Sequence, residues 1–450
     1  MRRNLIAIGL VSVAILSGPL QAAETQQNLL DIYQLALSHD PTWASARSAN
    51  SAAQEKLEQG KALYRPTVTI NASTNHSDTD TRYSGGSVFR GGRQSFNTSE
   101  YGVNVNQPLF RKQISAQYEQ AKFQVTQADK QLLLAQQNLM LRTAQAYFDV
   151  LLAQDKIDLI NAQKSAINRQ LEQAKANFDV GTATITDVNE AQARYDLTVA
   201  QEIAAINDLE VKKRTIQSVI GELPQKLTSP RADLKTTSPQ PADMEKWVEM
   251  AEQNNLTLSI QQQAFEIASK EVERQNAGHL PTLDAVGSYN SSYADGSAYG
   301  FGSDLKNTTI GLQLQIPIYQ GGAVSSKVRE AVANKQKALE DVEVARRQAA
   351  LDTRQAYLNL ASSIAQVSAY EQALTSSQSQ LDSTNLGYEV GVRTSVDVLN
   401  AQQQLYSAKR DLLQARYTYL LSILKLKSAT GLINAADLAD INQRLAINTH

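Results

Sequence analysis

Four short stretches of the chain alternate between apolar residues and uncharged polar residues. They cover residues 67–73, 101–106, 283–289 and 310–318. The last is the clearest, with Ile310, Leu312, Leu314, Ile316 and Ile318 against Gly311, Gln313, Gln315 and Pro317. A period of two predicts β-strands with one apolar face and one polar face. Such strands suit lipid outside and water inside, and their length approaches the roughly 9–11 residues of a membrane-spanning strand. Two half-buried hairpins on a soluble domain are the alternative.

The strands of each pair are separated by stretches rich in Gly, Ser and Asn. We expect residues 78–99 and 295–308 to form long exposed loops. Four strands are too few to close a barrel, which needs about eight. Open strand edges in lipid would leave backbone groups unpaired. If the strands lie in a membrane, several chains must therefore share one barrel, and three chains would supply twelve strands.

Two long stretches, 114–177 and 324–386, contain no proline and are rich in Ala, Gln, Leu and Lys, which favour helices. Each stretch predicts a helix about 95 Å long at 1.5 Å per residue. Apolar residues near helical spacing indicate the faces that pack on other helices. These residues are Leu133, Ala144, Tyr147, Leu151 and Leu159 in the first stretch, and Leu351, Tyr357 and Leu360 in the second.

Each long helix ends at a Val-Gly pair. Gly181 and Gly391 can take the left-handed conformation that ends a helix. Residues 184–187 and 394–397 then begin with Thr and end with Asp, which is typical of a capping box. The sequence therefore predicts a tight reversal and a return helix up to Gly221 or Gly431. Two such hairpins per chain, in three chains, would make a tube of twelve helices.

The two halves of the chain repeat one another. Matching positions are separated by a constant 210 residues (391 − 181) over about 80 residues, which indicates a duplicated unit. Further upstream, Pro66 matches Pro281 with a slightly shifted offset. We predict a signal peptide at 1–22, a first repeat at 23–222, a linker at 223–245, a second repeat at 246–433 and a C-terminal segment at 434–450. The linker and the C-terminal segment are expected to form an equatorial collar.

The first residues predict a cleaved secretory signal. Two arginines follow Met1, an apolar run covers residues 5–16, and small residues precede the expected cut after Ala22. The alternative is a retained N-terminal anchor.

The composition of the chain argues against several classes of function. The chain has no cysteine and four scattered histidines, so we expect no disulfide, no thiolate site and no metal centre. A net charge of −2 argues against a nucleic-acid partner. No nucleophile–base set or phosphate-binding glycine loop is recognisable. We therefore expect a protein that is not an enzyme and that carries no cofactor.

The segments 388–401, 180–188 and 280–283 together resemble the TolC-type family of outer-membrane efflux and secretion ducts, over nearly the whole mature chain. The resemblance implies a mainly α homotrimer with a twelve-helix periplasmic barrel and a shared twelve-stranded outer-membrane β-barrel. It implies the passive exit duct of an efflux pump, of a type I secretion system, or of both. An inner-membrane transporter would dock through a periplasmic adaptor. The alternative is a periplasmic coiled-coil adaptor that does not insert into a membrane.

The resemblance also assigns roles at the periplasmic tip. Polar links between hairpins would keep the tip shut, with Thr186 and Asp187 in the first hairpin and Tyr388 and Arg393 in the second. The counterpart of Arg393 is Ala183, so the hairpins differ at the tip and one can move while the other stays. A solvated surface arginine is the alternative.

The resemblance places Asp397 and Asn400 at the narrowest aperture. The family often has two acids there, and Asn400 departs from that pattern. This departure puts strong cation block in doubt. The alternative for Asp397 is plain helix capping, which is compatible with pore lining.

Overall fold

The computed structural model describes residues 26–86, 88, 91–230 and 234–445. The predicted signal peptide lies outside these ranges, as do the last five residues. Each half of the chain has two helices, two strands and a long helical hairpin. The first half contains α1 (Leu29–His39), α2 (Pro41–Ala62), β1 (Thr67–Thr81), β2 (Gly92–Phe110), α3 (Lys112–Asp179) and α4 (Ile185–Ile220). The second contains α5 (Met244–Asn254), α6 (Leu256–Asn276), β3 (Thr282–Ala294), β4 (Ser303–Gln315), α7 (Ala323–Glu389) and α8 (Ser395–Ala429), and α9 (Ala435–Gln443) follows.

The four strands form one antiparallel sheet in the order β1-β2-β3-β4. The central pair, β2 and β3, joins the two halves of the chain, with Val103 opposite Tyr289. Within the described ranges, β1 and β4 each have a strand neighbour on one side only. The apolar residues of β4 are open to the surroundings, with Ile310 88% exposed and Leu312 70% exposed. The sheet therefore has two free edges and an uncovered apolar face.

The strands are longer than the alternating pattern predicted. β1 runs to Thr81 and β2 starts at Gly92, so the prediction of loops over 78–99 and 295–308 is wrong in extent. Polar side-chain pairs across the two strands stabilise the additional residues of β1 and β2. In one such pair, the His76 ring nitrogen Nδ1 lies 2.9 Å from Asn97 Oδ1. At the other end, β4 stops at Gln315, two residues before Pro317. The prediction that this strand continues to Ile318 is therefore wrong.

The regions 29–63 and 244–278 each consist of two helices in sequence. Asp40 separates α1 from α2, and its carboxylate accepts a hydrogen bond of 2.7 Å from Trp43 N. Asn255 separates α5 from α6, and its side chain accepts one of 3.0 Å from Leu258 N. Both residues cap the following helix, which explains why each helix restarts there.

The long hairpins carry the core. α3 packs on α4 and α7 on α8, while α6 lies between α3 and α7. A large cluster of buried residues surrounds Tyr147, Phe148 and Leu424, and α1 and α9 cover it. A second, small cluster near the hairpin turns consists of Ile167, Leu171, Ala174, Ala191 and Leu399. Among the described residues, none of the helices combines the length and the apolar character needed to cross a bilayer.

The segments between and after the repeats are bound to the core. Gln27 forms a parallel bridge with Leu227, and Pro230 forms an antiparallel bridge with Leu445. The Tyr147 hydroxyl donates a 2.7 Å hydrogen bond to the carbonyl oxygen of Thr228. The predicted boundaries of linker and repeats stay a prediction, as does the collar.

Candidate functional site

The two hairpin turns have the same backbone. Gly181 and Gly391 have φ angles of 76° and 78°. In the first turn, the amides of Thr182 and Ala183 donate to the carbonyl oxygen of Asn177, at 2.8 and 3.2 Å. In the second turn, the amides of residues 392 and 393 donate in the same way to Gly387 O, at 2.8 and 3.0 Å. A glycine in the left-handed region lets the last carbonyls of each long helix find donors.

A capping box follows each turn. The amide of Thr394 donates to Asp397 Oδ2 at 2.9 Å, and the amide of Asp397 donates to Thr394 Oγ1 at 3.2 Å. Thr184 and Asp187 repeat the arrangement at 3.0 and 3.3 Å. The hydrogen bonds from Thr394 hold the pKa of Asp397 below its usual range. Asp397 therefore caps a helix, and whether it also lines an aperture stays a prediction.

The side chains at the two turns differ. The Asn177 amide nitrogen Nδ2 donates a 3.1 Å hydrogen bond to the Tyr388 hydroxyl, which joins the end of α3 to the end of α7. The counterpart of Tyr388 is Phe178, which has no hydroxyl. Arg393 packs over Gly387, where an added Cβ would come within 2.7 Å of Arg393 Cγ. The second turn thus makes room for an arginine that the first turn lacks.

A cavity of about 470 Å³ lies between the two turns. Of the predicted tip residues, Asp187, Tyr388, Gly391 and Arg393 line it, together with Asn177. Thr186 is exposed and lies outside its lining. Arg393 makes no ion pair with another residue in the described part of the chain. Three of the four predicted link residues, Asp187, Tyr388 and Arg393, therefore line one space, and the closure of the tip stays a prediction.

Asn400 does not line this cavity. Its Oδ1 accepts a 3.0 Å hydrogen bond from Arg194 Nη2 on α4. Sequence reasoning missed Asn177, Gly387 and Arg194. A comparison of the two copies contains a signal for them, because Asn177 matches Gly387 and Arg194 matches Gln404 in the repeat. Among the residues that the structure describes, no three His, Cys, Asp or Glu side chains are grouped to hold a metal ion.

The family model for outer membrane efflux proteins matches residues 32–222 and 247–432. The chain belongs to the outer membrane efflux protein family. Its sequence is 34% identical to outer membrane protein TolC of Vibrio cholerae serotype O1, over 97% of this chain and 98% of the relative. It is 29% identical to the proteases secretion protein PrtF of Dickeya chrysanthemi, over 98% of this chain and 95% of PrtF. The family resemblance predicted from the tip motifs is confirmed.

Solved structures of outer-membrane proteins share the fold. The crystal structure of the outer membrane protein VceC from Vibrio cholerae matches with a TM-score of 0.74 over 90% of this chain and 96% of VceC. At 20% identity this likeness concerns the fold alone. It confirms the predicted mainly α fold with a small β part. Family membership also confirms the outer-membrane location, with the long helices extending into the periplasm.

Proposed function

We propose that three copies of this chain form one duct through the outer membrane. The duct serves as the passive exit of an efflux pump, of a type I secretion system, or of both. The open four-stranded sheet carries this proposal. Its two free edges need strand partners, and its apolar face needs lipid. Three copies supply twelve strands and twelve long helices, and the family match favours this duct over an adaptor that stays out of the membrane.

The names of the relatives support the two proposed routes, secretion and efflux. PrtF is named for the secretion of proteases, and the family is named for efflux. In either route, the proposed duct works with an inner-membrane transporter through a periplasmic adaptor. The described hairpin turns form the end of the duct that faces these partners. Tyr388 and Arg393 hold it shut, and Asp397 with Asn400 lines its aperture.

Insertion in planar bilayers tests the duct. Purified protein should have the mass of a trimer in detergent and should form discrete conducting pores. Ile310→Asp places a charge on the apolar face of β4, at a cost per copy somewhat below the about 2–4 kcal/mol that a lysine costs at mid-bilayer. We expect it to abolish pore insertion.

The matched control is Thr309→Asp, one residue along the same strand and on the opposite face. It should insert and conduct. Equal insertion by both variants, or a monomer in detergent, would contradict the shared barrel. The efflux role is tested by deleting the gene and measuring the sensitivity of the cells to toxic small molecules.

A further inference from the structure

Arg194 joins the two hairpins near the tip. Its Nη2 donates to Asn400 Oδ1 on α8 at 3.0 Å and to Glu190 Oε1 on its own helix at 3.2 Å. Its Nη1 donates to Gln403 Oε1 on α8. The Arg194 side chain is 27% exposed, so the guanidinium is partly withdrawn from water. The positively charged guanidinium of Arg194 therefore lies in contact with Asn400.

Glu190 and Asn400 occupy the same position of the repeat, 210 residues apart (400 − 190). The first copy has an acid there and the second copy has an amide. Arg194 contacts both residues, whereas its own counterpart, Gln404, carries no charge. One guanidinium thus neutralises the carboxylate of the first copy and hydrogen-bonds the amide that replaces it in the second.

We infer that Arg194 determines how strongly the tip binds divalent cations. The inference rests on the proposed function, in which Asp397 and Asn400 line the aperture. Three Asp397 carboxylates around an axis would attract a divalent cation, and Arg194 keeps the three Glu190 carboxylates from adding to them because it is ion-paired with Glu190. Arg194 therefore keeps the tip from becoming a cation site, and an acid introduced at position 400 would be paired with it.

The alternative is that Arg194 only fastens α4 to α8. The two roles separate because the selectivity role needs a positive charge and the fastening role needs the geometry of the planar guanidinium fork. Lysine keeps the charge and loses the fork. Glutamine loses both.

The test measures Mg²⁺ block of single-channel conductance in planar bilayers. Asn400→Asp alone should lower the half-blocking Mg²⁺ concentration less than about threefold, because Arg194 pairs with the new carboxylate. Asn400→Asp with Arg194→Gln should lower it about tenfold or more. Asn400→Asp with Arg194→Lys should behave like Asn400→Asp alone.

The matched control combines Asn400→Asp with Lys409→Gln. Lys409 is a cation on α8, and its Nζ lies 5.3 Å from the centre of the Tyr406 ring. This control should also behave like Asn400→Asp alone. The inference is overturned if Asn400→Asp alone blocks as strongly as its combination with Arg194→Gln. It is equally overturned if the lysine variant or the Lys409 control blocks that strongly. A wild-type protein that forms no pore would overturn the proposed function, and the inference with it.

Discussion

The two hairpin turns have one backbone and two sets of side chains. Each has a left-handed glycine, two amides that donate to one carbonyl, and a Thr–Asp capping box. Around this frame, the first copy and the second copy differ at many matched positions. Four of these pairs concern the contacts at the tip, namely Asn177 and Gly387, Phe178 and Tyr388, Ala183 and Arg393, and Glu190 and Asn400.

The comparison separates the residues that form the turn from the residues that make contacts between the two turns. The glycine and the cap are present in both copies because the reversal requires them. The differing residues contact across the copies, as Asn177 does with Tyr388 and Arg194 with Asn400. Substitutions at matched positions can therefore test each part separately.

The largest difference between the copies is expected at the glycines that end the return helices. Gly431 and Gly221 have φ angles of 76° and 82°. A Cβ on Gly431 would overlap the carbonyl oxygen of Asn254, whereas one on Gly221 would come within 3.2 Å of His39 Cβ. Gly431→Ala should lower the free energy of unfolding by about 3 kcal/mol, and Gly221→Ala by about 1–2 kcal/mol. Denaturant unfolding followed by circular dichroism measures both, and equal losses would contradict the clash.

A second difference concerns acid stability. Hydrogen bonds from Arg274, and to a smaller extent from Gln275 and Gln120, lower the pKa of Glu271 from 4.5 to about 2. Since the folded value is the lower one, the carboxylate stabilises the fold above pH 4.5. This contribution is lost as the pH falls through about 2. Glu271 lies as far before Pro281 as Lys56 lies before Pro66 (281 − 271 = 66 − 56), so Lys56 is the matched residue of the first copy.

Glu271→Gln should therefore lower the free energy of unfolding by up to about 2 kcal/mol near neutral pH, after allowance for partial exposure. The loss should disappear as the pH approaches 2. Lys56→Gln serves as the control and should have little effect at any pH. Unfolding curves over a pH series measure both variants. A loss that does not change with pH would contradict an ionic contribution.

The capping boxes should contribute equally. Thr184→Ala and Thr394→Ala each remove the hydroxyl that accepts a hydrogen bond from the backbone amide of the capping-box Asp. Each substitution should lower the stability of its helix by about 1 kcal/mol. Local hydrogen exchange of the amides at each turn measures the loss. Thr394→Ser keeps the hydroxyl and should retain protection. A loss confined to one turn would show that the frames are not equivalent.

The most direct test of closure gives the second turn the residues of the first. It is also expected to cause the smallest change in free energy. Tyr388→Phe with Arg393→Ala removes the hydrogen bond that Asn177 donates to the Tyr388 hydroxyl. The loss should lower the stability of the closed tip by about 1 kcal/mol or less per copy. Because three copies each lose it, single-channel conductance should rise. Phe178→Tyr in the first turn is the control and should leave conductance unchanged. No rise in the double variant would contradict the predicted closure.

Local patterns predicted most of the helical part of the fold. The long helices, their turns and their caps depend on residues within about four positions of one another, which a sequence displays directly. The break at Asp40 was missed, although Pro41 follows a capping residue there. The extent of β1 and β2 was also missed, because polar cross-strand pairs extend them without apolar alternation.

The packing of the helices and the contacts at the tip were harder to predict. Leu133 and Leu351 lie near helical spacing with buried residues, yet they are 45% and 57% exposed in one chain. Periodicity identifies an apolar face but not the neighbour that covers it. Asn177 and Arg194 find their partners more than 200 positions away, on other helices. No local pattern encodes such contacts.

The central ladder between β2 and β3 has a consequence for how the molecule is built. Together with α6, which lies between α3 and α7, it holds the two halves side by side without help from the peptide that connects them. Two separately synthesised polypeptides, one for each half, would then associate into the same unit. The duplicated sequence and this ladder together describe two similar units joined in one polypeptide.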